Sequence, residues 1–467
     1  MTRIVIMGGG PGGYEAALVA AQYGADVTLI ESDGPGGGCV LYDCVPSKTF
    51  IASAGGRTAA LEAGGLGVVV PAGIEVDLAA VNARVTGLAR AQSADIHARL
   101  TGVGVRVVTG RAALADSAPG LAAHRVAATA PDGTVTEFEA DVVLVATGAA
   151  PRVLPDARPD GERILTWRDL YSLTELPEHL IVVGSGVTGA EFASAYTEMG
   201  VRVSLVSSRD RVLPSEDADA AAVIEEVFSE HGGKLVRRAR AQSVTREGDE
   251  VVVRLTDGGE VRGSHCLMTV GSVPNTSDIG LESVGVAVND GGFITVDRVS
   301  RTSVSGIYAA GDCTGLLMLA SVAAMQGRIA MWHALGEGVP SLRLKTVAST
   351  VFTHPEIATV GISQVDVDAG TIPASVLMLP LATNPRAKMI GLTEGFVKLV
   401  IRPATGIVIG GVVVAPQASE LILPIAMAVQ NGLTAKDLAY TLSVYPSLSG
   451  SITELGRQLM HFDGDLG

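Results

Sequence analysis

The sequence predicts an α/β protein built on two Rossmann-like dinucleotide-binding domains and a C-terminal α+β domain. Two observations support this fold class: a strand, glycine turn and helix near the N-terminus recur from Leu180, and residues 345–467 mix strands with helices. The chain has 467 residues, enough for about two to four domains of ordinary size. Apolar residues make up 47% and charged residues 18%, which is enough apolar material for a core in each domain.

The first dinucleotide pattern starts with Arg3–Met7, a short apolar run that predicts a buried parallel strand. A glycine turn, a helix and a second strand follow: Gly8-x-Gly10-x-x-Gly13, a run through Tyr23, and Val27–Ile30 ending in Glu31. In such a unit the first glycine makes a tight turn, the second lets the backbone approach a pyrophosphate, and the third packs helix on strand. The phosphates then lie at the helix N-terminus.

The second pattern repeats the same order of elements. Its strand, turn, helix and second strand are Leu180–Val183, Gly184-x-Gly186-x-x-Gly189, a run to Met199, and Val201–Val206. Because both copies carry every element in order, the sequence predicts two dinucleotide sites. Where the first copy has Glu31, the second has hydroxyls and two guanidinium groups: Ser207, Ser208, Arg209 and Arg211. Arginine suits the 2′-phosphate of NADPH, so we expect NADPH to be used at least as well as NADH, with both accepted.

Three later segments complete the organisation. Val142–Gly148 predicts another buried strand that ends in a small-residue turn, and Pro151, Pro155 and Pro159 after it indicate a linker. Ile307–Asp312 predicts a strand that runs into an acidic turn. In the last region we predict strands and helices over Val347–Phe352, Phe396–Ile401, Ile407–Val414, Ser419–Gln430 and Ala435–Leu442.

The composition excludes several classes of function. The net charge of −15 argues against nucleic-acid binding, which needs a basic surface. No run of 18 apolar residues occurs, so no membrane span is expected. The apolar stretch before Gly8 is too short for a signal peptide, and we expect a cytoplasmic protein. Four cysteines in 467 residues do not predict a disulfide scaffold, and without a histidine near Cys39 or Cys44 or a second close pair of cysteines they do not predict a metal site.

The segment Gly36–Lys48 resembles the redox-cysteine helix of the flavoprotein disulfide reductases, through its Cys39-x4-Cys44-x-Pro-Ser-Lys pattern. Other segments match that family's flavin signatures and the start of its dimerisation domain: Ala146–Gly148, Gly306–Asp312 and Val351–Gly361. The likeness covers essentially the whole chain. The runs around Tyr445 and over Leu319–Arg328 resemble the family's actinobacterial NAD(P)H:quinone reductase branch.

The resemblance implies a domain order and two cofactors. An FAD-binding domain would comprise 1–153 and 275–344, with an NAD(P)H-binding domain, 154–274, between them and a dimerisation domain, 345–467, at the end. We therefore expect bound FAD, NADPH or NADH as co-substrate, and a homodimer or higher homo-oligomer. The cofactor-binding residues implied are Gly8, Gly10, Pro11, Gly13, Glu31, Cys39, Lys48, Ala112, Thr147, Gly148, Gly184, Gly186, Gly189, Ser207, Ser208, Arg209, Arg211, Gly271, Asp312 and Ala320.

By the same resemblance, Lys48 would lie near flavin N5 and pair with Glu191. An unpaired buried lysine is costly, which supports the pairing on physical grounds as well. The candidate catalytic residues are Cys39, Cys44, Lys48, Glu191 and Tyr445.

The sequence departs from the family in the segment that supplies its acid–base pair. The family pattern His-Pro-Thr-x-x-Glu is replaced by Tyr445-Pro-Ser-Leu-Ser-Gly450. Disulfide exchange needs a group that protonates the departing thiolate near neutral pH; imidazole does this, whereas a phenol does not. His354 lies in the wrong segment and is interpreted as structural, while Glu454 and His461 stay open as substitutes.

We therefore predict an FAD-dependent NAD(P)H:quinone oxidoreductase of the diaphorase type, in which electrons leave from the flavin. Three alternatives stay open: a disulfide reductase that uses Cys39 and Cys44, a non-catalytic redox-sensing flavoprotein, and a soluble transhydrogenase. The residues Tyr42 and Asp43 between the cysteines are unusual for the family, where Asn-Val-Gly-like residues are commoner. The sequence leaves open the physiological acceptor, the use of the cysteines in turnover, the strength of the NADPH preference, and dimer against tetramer.

Overall fold

The structure is a computed structural model that describes residues 1–71, 73–115 and 123–460. His461 and the rest of the C-terminal segment lie outside the described residues, so one of the two candidate substitutes for the missing acid–base pair is not placed. No helix in these ranges is both long and apolar enough to cross a membrane.

The first sheet is parallel and carries the first glycine turn. Its strands are β1 (Arg3–Met7), β2 (Asp26–Glu31), β3 (Arg106–Thr109), β7 (Val142–Val145) and β18 (Ile307–Ala309), in the order β18-β7-β1-β2-β3. The helices around it are α1 (Pro11–Gln22), α2 (Gly37–Leu41), α3 (Cys44–Glu62), α4 (Leu78–Gly102) and α7 (Ala320–Ala334). A three-stranded antiparallel sheet stands beside it, made of β4 (Arg111–Ala115), β5 (His124–Thr129) and β6 (Val135–Ala140).

The second sheet is also parallel and carries the second glycine turn. Its strands are β9 (Ile164–Leu165), β10 (His179–Val183), β11 (Arg202–Val206), β12 (Lys234–Val236) and β16 (His265–Met268), in the order β12-β11-β10-β16-β9. It is accompanied by α5 (Val187–Glu198), α6 (Ala218–Glu230) and a small antiparallel sheet of β13 (Ala241–Glu247), β14 (Glu250–Leu255) and β15 (Glu260–Gly263).

A two-stranded ribbon joins these two units. Strand β8 (Ala149–Pro151), on the way out of the first sheet, pairs antiparallel with β17 (Ser272–Pro274), on the way back. Pro151, the first proline of the predicted linker, lies in this ribbon opposite Ser272. Proline is tolerated there because a two-stranded ribbon has an open edge on each side.

The third sheet is antiparallel, in the order β19-β20-β23-β22-β21. Its strands are β19 (Ala348–Val351), β20 (Glu356–Gly361), β21 (Ser375–Pro380), β22 (Phe396–Ile401) and β23 (Val408–Ala415). Its helices are α8 (Gln364–Asp368), α9 (Pro385–Met389), α10 (Ala418–Leu421), α11 (Leu423–Asn431), α12 (Ala435–Tyr440) and α13 (Gly450–Leu459).

A buried ion pair ties the third unit to the second. Lys398 of β22 is 2% exposed, and its Nζ lies 2.8 Å from Oδ2 of Asp217 and 2.7 Å from Oδ2 of Asp219. Asp217 is the N-cap of α6 and accepts hydrogen bonds from the backbone N–H groups of Asp219 and Ala220. The carboxylate of Asp217 therefore caps a helix and balances a buried lysine at once.

The predicted α/β fold class is confirmed, and the parallel pairing predicted for the buried strands is present in both large sheets. The single helix predicted over Ser419–Gln430 is two helices, α10 and α11, because Pro424 has no backbone N–H to continue the first one. Strands β20 and β21 and helix α13 were not predicted. Strand β21 is only half-buried at the sheet edge, so its sequence lacks the apolar run of a buried strand.

Candidate functional site

The two glycine turns have nearly the same geometry. Gly8 has φ +104°, and a Cβ there would lie 2.3 Å from the carbonyl oxygen of Ala146. A Cβ on Gly13 would lie 1.9 Å from the oxygen of Gly8, whereas Gly10, the N-cap of α1, faces open space. Gly184, Gly189 and Gly186 repeat this arrangement, with φ +113° at Gly184, a distance of 1.9 Å at Gly189 and open space at Gly186. Each turn therefore leaves a bare helix N-terminus that can receive an anion.

A cavity of about 680 Å³ opens in front of the first turn, a size typical of ligand sites. Eleven of the predicted site residues line it: Gly8, Gly10, Pro11, Glu31, Cys39, Cys44, Ala112, Thr147, Gly148, Asp312 and Ala320. Gly13 lies buried beneath the turn, and Gly271 directly precedes Ser272, which does line the cavity. The structure thus brings residues from distant parts of the first sheet to one chamber.

Glu31 is held at the end of β2 by the neighbouring backbone. Its Oε2 accepts from the N–H of Gly9 at 2.6 Å, and its Oε1 accepts from the N–H of Asp33 at 2.8 Å. The carboxylate is therefore fixed beside the glycine turn, where an acid of this kind receives ribose hydroxyls in dinucleotide sites.

Two further polar groups face the chamber without strong partners. The Thr147 hydroxyl is buried and, apart from the weakly polar Cys313 thiol beside it, has no hydrogen-bond partner in the described part of the chain. Burial, with a smaller contribution from the charge of Asp43, raises the pKa of Asp312 to about 6. Buried polar groups normally have partners, so both residues suit a ligand that carries hydroxyls and amides. The chamber, its glycine turn and these groups fit a bound dinucleotide such as FAD.

Cys39 in α2 and Cys44 at the start of α3 both line the chamber and are free thiols in the structure. Hydrogen bonding with Cys39, burial and the charge of Asp43 raise the pKa of the Cys44 thiol well above its ordinary value. The other two cysteines, Cys266 and Cys313, are completely buried. Cys39 and Cys44 are therefore the two thiols in a position to meet a ligand.

The structure forms the predicted pair between Lys48 and Glu191. Nζ of Lys48 donates to Oε2 of Glu191 at 2.9 Å and lies 4.8 Å from the centre of the Phe352 ring. Oε1 of Glu191 accepts from the N–H of Phe352 at 2.9 Å, so the buried carboxylate is satisfied on both oxygens. Burial alone would lower the pKa of Lys48, but the charges of Glu191 and Cys44 outweigh it and the pKa is raised. The position of this pair beside a flavin stays a prediction.

The segment after β11 is arranged differently from the segment after β2, which carries Glu31 in the first dinucleotide pattern. Ser207 is 2% exposed; its hydroxyl pairs with that of Ser185 at 2.7 Å and also contacts the backbone of Arg209. The Arg211 guanidinium donates to the carbonyls of Pro214 and Glu216 at 3.0 Å each. Ser208 and Arg209 are exposed. Of the four residues predicted here, those two are the ones whose side chains face outward.

Tyr445 lies far out on the surface of the protomer and is 81% exposed, in the loop between α12 and α13. The position of the missing glutamate, Gly450, is the first residue of α13. Glu454, the other candidate substitute, is bound by Arg457, which lowers its pKa to about 2. His354 packs on α5, where its backbone N–H donates to the Ser194 hydroxyl. Neither Glu454 nor His354 lines the chamber of its own protomer.

Two lining residues that the sequence analysis missed are Trp167 and Arg168. The Arg168 guanidinium lies 4.6 Å from the ring centre of Tyr42 and 5.3 Å from that of Trp167. Arg168 also faces Asp43, which lines the chamber between the cysteines. These contacts join segments far apart in the chain, so no local pattern reveals them. The unusual Tyr42–Asp43 dipeptide was the one available signal.

Comparison with known proteins agrees with this architecture. Residues 2–327 match the family described as pyridine nucleotide-disulphide oxidoreductase, and residues 347–455 match its dimerisation domain. A Mycobacterium tuberculosis protein named NAD(P)H dehydrogenase (quinone) is 64% identical over 467 residues, covering 99% of this chain and 95% of the relative. Dihydrolipoyl dehydrogenase 2 of Haloarcula marismortui is 32% identical over 459 residues, covering 97% and 95%.

Solved structures give the same picture. The crystal structure of LpdA from Mycobacterium tuberculosis superposes with a TM-score of 0.95 at 65% identity, covering 99% of this chain and all of the other. The HOCl-induced flavoprotein disulfide reductase RclA from Escherichia coli superposes with a TM-score of 0.86 at 25% identity, covering 98% and 99%. The fold is thus shared with proteins whose names give different electron acceptors.

Proposed function

The chain belongs to the pyridine nucleotide-disulphide oxidoreductase family, and we propose that within it the protein is an FAD-dependent NAD(P)H:quinone oxidoreductase. In this proposal NAD(P)H gives a hydride to the flavin, and a quinone takes up the electrons. The name of the relative at 64% identity supports the quinone as acceptor.

The observation that carries the proposal is the chemistry of the C-terminal segment. Tyr445 and Gly450 stand where the family has its histidine and glutamate, and Glu454 is held as a carboxylate by Arg457. Reduction of a disulfide by exchange releases a thiolate that has to be protonated. A phenol with a pKa near 10 does this poorly at neutral pH, whereas a quinone can take its electrons without any thiol.

FAD would be held by the first glycine turn, with its pyrophosphate at the N-terminus of α1. Glu31 would accept hydrogen bonds from the adenosine ribose, while Thr147 and Asp312 would bind polar groups of the flavin half. When bound, FAD supplies the transfer of one or two electrons, and the chain supplies orientation and electrostatics. Lys48 would place its ammonium group beside the ring, held there by Glu191, whose buried carboxylate is hydrogen-bonded on both oxygens.

The nicotinamide cofactor would bind at the second turn, with its pyrophosphate at the N-terminus of α5. The hydroxyl of Ser207 and the guanidinium of Arg211 bond within their own loop, so Arg209 is the side chain best placed to bind a 2′-phosphate. An acid that would repel this phosphate is missing at position 207. We therefore propose that NADPH serves at least as well as NADH.

The dimerisation domain implies a homodimer. Large apolar side chains are exposed on its outer surface in one protomer: Leu423, Met427, Tyr440, Leu442, Val444 and Tyr445. A second copy covering this surface would remove them from water, and Tyr445 would then lie at the interface. Sedimentation showing a monomer at micromolar concentration would contradict this.

An acceptor panel tests the proposal. The wild type is assayed with benzoquinone, naphthoquinone, lipoamide and glutathione disulfide, each with NADH and with NADPH. We expect quinone turnover to exceed lipoamide turnover by at least about 10²-fold, the low end of what acid–base catalysis contributes.

The Cys39→Ser variant separates the two routes for the electrons. If they bypass the thiols, quinone turnover changes by less than about threefold, because no group essential to the chemistry is lost. The two free thiols in the chamber favour one rival, a disulfide reductase. Efficient lipoamide reduction by the wild type, abolished in Cys39→Ser, would establish that rival instead.

A further inference from the structure

The segment that follows β12, at the edge of the second sheet, carries arginines that the proposed function leaves unused. Strands β11 and β12 are parallel, with Val206 opposite Val236, so their carboxyl ends reach the same edge of the sheet. Arg237, Arg238 and Arg240 come directly after β12, and all three are exposed. In a parallel sheet of this kind, nucleotides bind at the carboxyl ends of the strands.

The first unit shows what the corresponding segment does at a dinucleotide site. There β2 and β3 are the equivalent neighbours, with Glu31 opposite Thr109, and the N–H of Gly110 donates to the carbonyl of Glu31 at 2.9 Å. Gly110, Arg111 and Ala112, which follow β3, line the chamber together with Glu31. The segment after the strand beside β2 therefore forms part of the wall of the first site.

The second unit repeats this arrangement and brings Arg238 beside Arg209. The N–H of Ser207 donates to the carbonyl of Val236 at 2.9 Å, and the N–H of Ala239 donates to the carbonyl of Ser207 at 2.8 Å. The N–H of Arg238 donates to the carbonyl of Arg209 at 3.1 Å. These three backbone hydrogen bonds fasten both arginines near the position where the first copy has its glutamate.

The backbone at Arg238 is held in a conformation that an arginine rarely adopts. Its φ is +55°, in the left-handed region, which is unfavourable for a residue with a Cβ atom. The hydrogen bonds to Arg209 and Ser207 hold this conformation, so the side chain of Arg238 starts from a fixed point. Strain of this kind is concentrated at sites that bind ligands.

The guanidinium of Arg238 is available to a ligand, whereas that of its neighbour is not. Arg238 pairs with the carboxylate of Asp210, and the two side chains are 79% and 72% exposed. Such an exposed pair contributes little to stability, so an incoming phosphate can replace the carboxylate. Arg237 instead lies 2.6 Å from Oε2 of Glu225, whose other oxygen accepts from the N–H of Val212.

We propose that Arg238 is a specificity-determining residue for NADPH, which binds the 2′-phosphate of the adenosine ribose together with Arg209. A guanidinium offers a planar fork of donors that matches the oxygens of a phosphate. Two arginines from neighbouring strand ends can hold that phosphate from two sides. NADH lacks this charge, so its binding should not depend on Arg238. The inference rests on the proposed use of NADPH at the second turn and adds a residue to it.

Binding of two nucleotide fragments to the flavin-loaded protein measures this contribution without any electron transfer. Adenosine 2′,5′-bisphosphate carries the 2′-phosphate, adenosine 5′-monophosphate lacks it, and titration calorimetry gives the Kd of each. In Arg238→Ala the Kd of the bisphosphate should rise by about tenfold or more, because a hydrogen bond to a charged group is lost. The Kd of the monophosphate should change by less than about twofold, since salt screens its 5′-phosphate from Arg238.

Two further variants make the result specific. Arg238→Asn also removes the guanidinium, and asparagine tolerates a positive φ, so this variant covers the case in which the alanine variant fails to fold. Arg237→Ala is a matched loss of one guanidinium at the neighbouring position. It should change both Kd values by less than about twofold, because this arginine is bound to α6 through Glu225.

A bisphosphate Kd in Arg238→Ala and Arg238→Asn that stays within about twofold of wild type would overturn the proposal. An equal loss in Arg237→Ala would also overturn it, because a general loss of positive charge would then explain the effect. A wild type that binds both fragments equally well would refute this proposal together with the NADPH preference. The fragments need no electron acceptor, so a failed quinone assay would refute the proposed function and leave this result intact.

Discussion

The buried pair between Lys398 and Asp217 predicts an unequal response to the loss of either partner. In Asp217→Ala the ammonium group of Lys398 keeps Asp219 as its carboxylate partner, and that side chain is 58% exposed. Removing one partner of a buried ion pair lowers the free energy of unfolding by about 3–5 kcal/mol. Because Lys398 keeps Asp219 as a partner in Asp217→Ala, we expect a loss near the lower end of this range, about 3 kcal/mol. The lost N-cap of α6 adds about 1 kcal/mol. We expect a loss of about 4 kcal/mol in the free energy of unfolding.

In Lys398→Met the cost should be much smaller. Asp217 keeps its two backbone donors, the N–H groups of Asp219 and Ala220, at 3.0 and 3.2 Å. The N-terminus of α6 also stabilises the remaining charge. Methionine fills nearly the same volume as the lysine stem, so we expect a loss of about 1 kcal/mol.

Thermal unfolding of the flavin-loaded protein, followed by circular dichroism at one fixed scan rate, measures the difference. At about 2–4 °C per kcal/mol for a unit of this size, Asp217→Ala should lower Tm by about 8–16 °C and Lys398→Met by about 2–4 °C. Asp217→Asn, which keeps the cap, should fall between them. A Tm in Lys398→Met that drops as far as in Asp217→Ala would refute the reasoning.

Four further predictions concern cofactors and pH. Gly13→Ala should release the flavin, because its Cβ would lie 1.9 Å from a carbonyl oxygen; flavin absorbance after gel filtration measures this, and a fully yellow variant would contradict it. Gly189→Ala, with the same 1.9 Å clash, should keep the flavin and raise KM for NADPH by about tenfold or more, so an unchanged KM speaks against a nucleotide there. Arg209→Ala should lower kcat/KM for NADPH by about tenfold and leave NADH nearly unchanged; equal losses, or a wild type that prefers NADH more than tenfold, would reject the assignment. Burial raises the pKa of Asp312 in the folded chain to about 6, so its contribution to stability is full below about pH 4 and is lost as the pH rises through 6. Asp312→Asn in the flavin-free protein should therefore gain Tm relative to wild type between pH 5 and 7. A difference in Tm that stays constant over that range would count against this reasoning.

The parts of the site that follow from short sequence patterns were predictable. The glycine turns were found because each glycine meets a carbonyl oxygen or an open helix end, and other residues do not fit at those places. The contact between Lys48 and Glu191 was expected from the resemblance to the flavoprotein disulfide reductases, and the cost of an unpaired buried lysine supported it.

Contacts that depend on the packing of distant segments were not predictable. Arg168 reaches the chamber only because its segment passes beside the cysteine helix, and its stacking on Tyr42 has no sequence signature. The sequence shows Lys398 only as a polar residue in a strand, yet its side chain is buried, because the N-terminus of α6 from another unit packs against it. The orientation of the residues at 207–211 was also invisible, since a serine or arginine in a loop can point inward or outward.

The ribbon of β8 and β17 has a consequence for how the chain can be cut and rejoined. Ala149–Pro151 and Ser272–Pro274 run side by side in opposite directions, so the chain leaves the first unit and returns to it at neighbouring points. Antiparallel strands of this kind can be closed by a turn of about two residues. The segment between them, with the whole second sheet, can therefore be exchanged as one unit: a gene that replaces it would change the second glycine turn and keep the first one, with Glu31 and both cysteines of the chamber, while the chamber residues Trp167 and Arg168 would be replaced along with it.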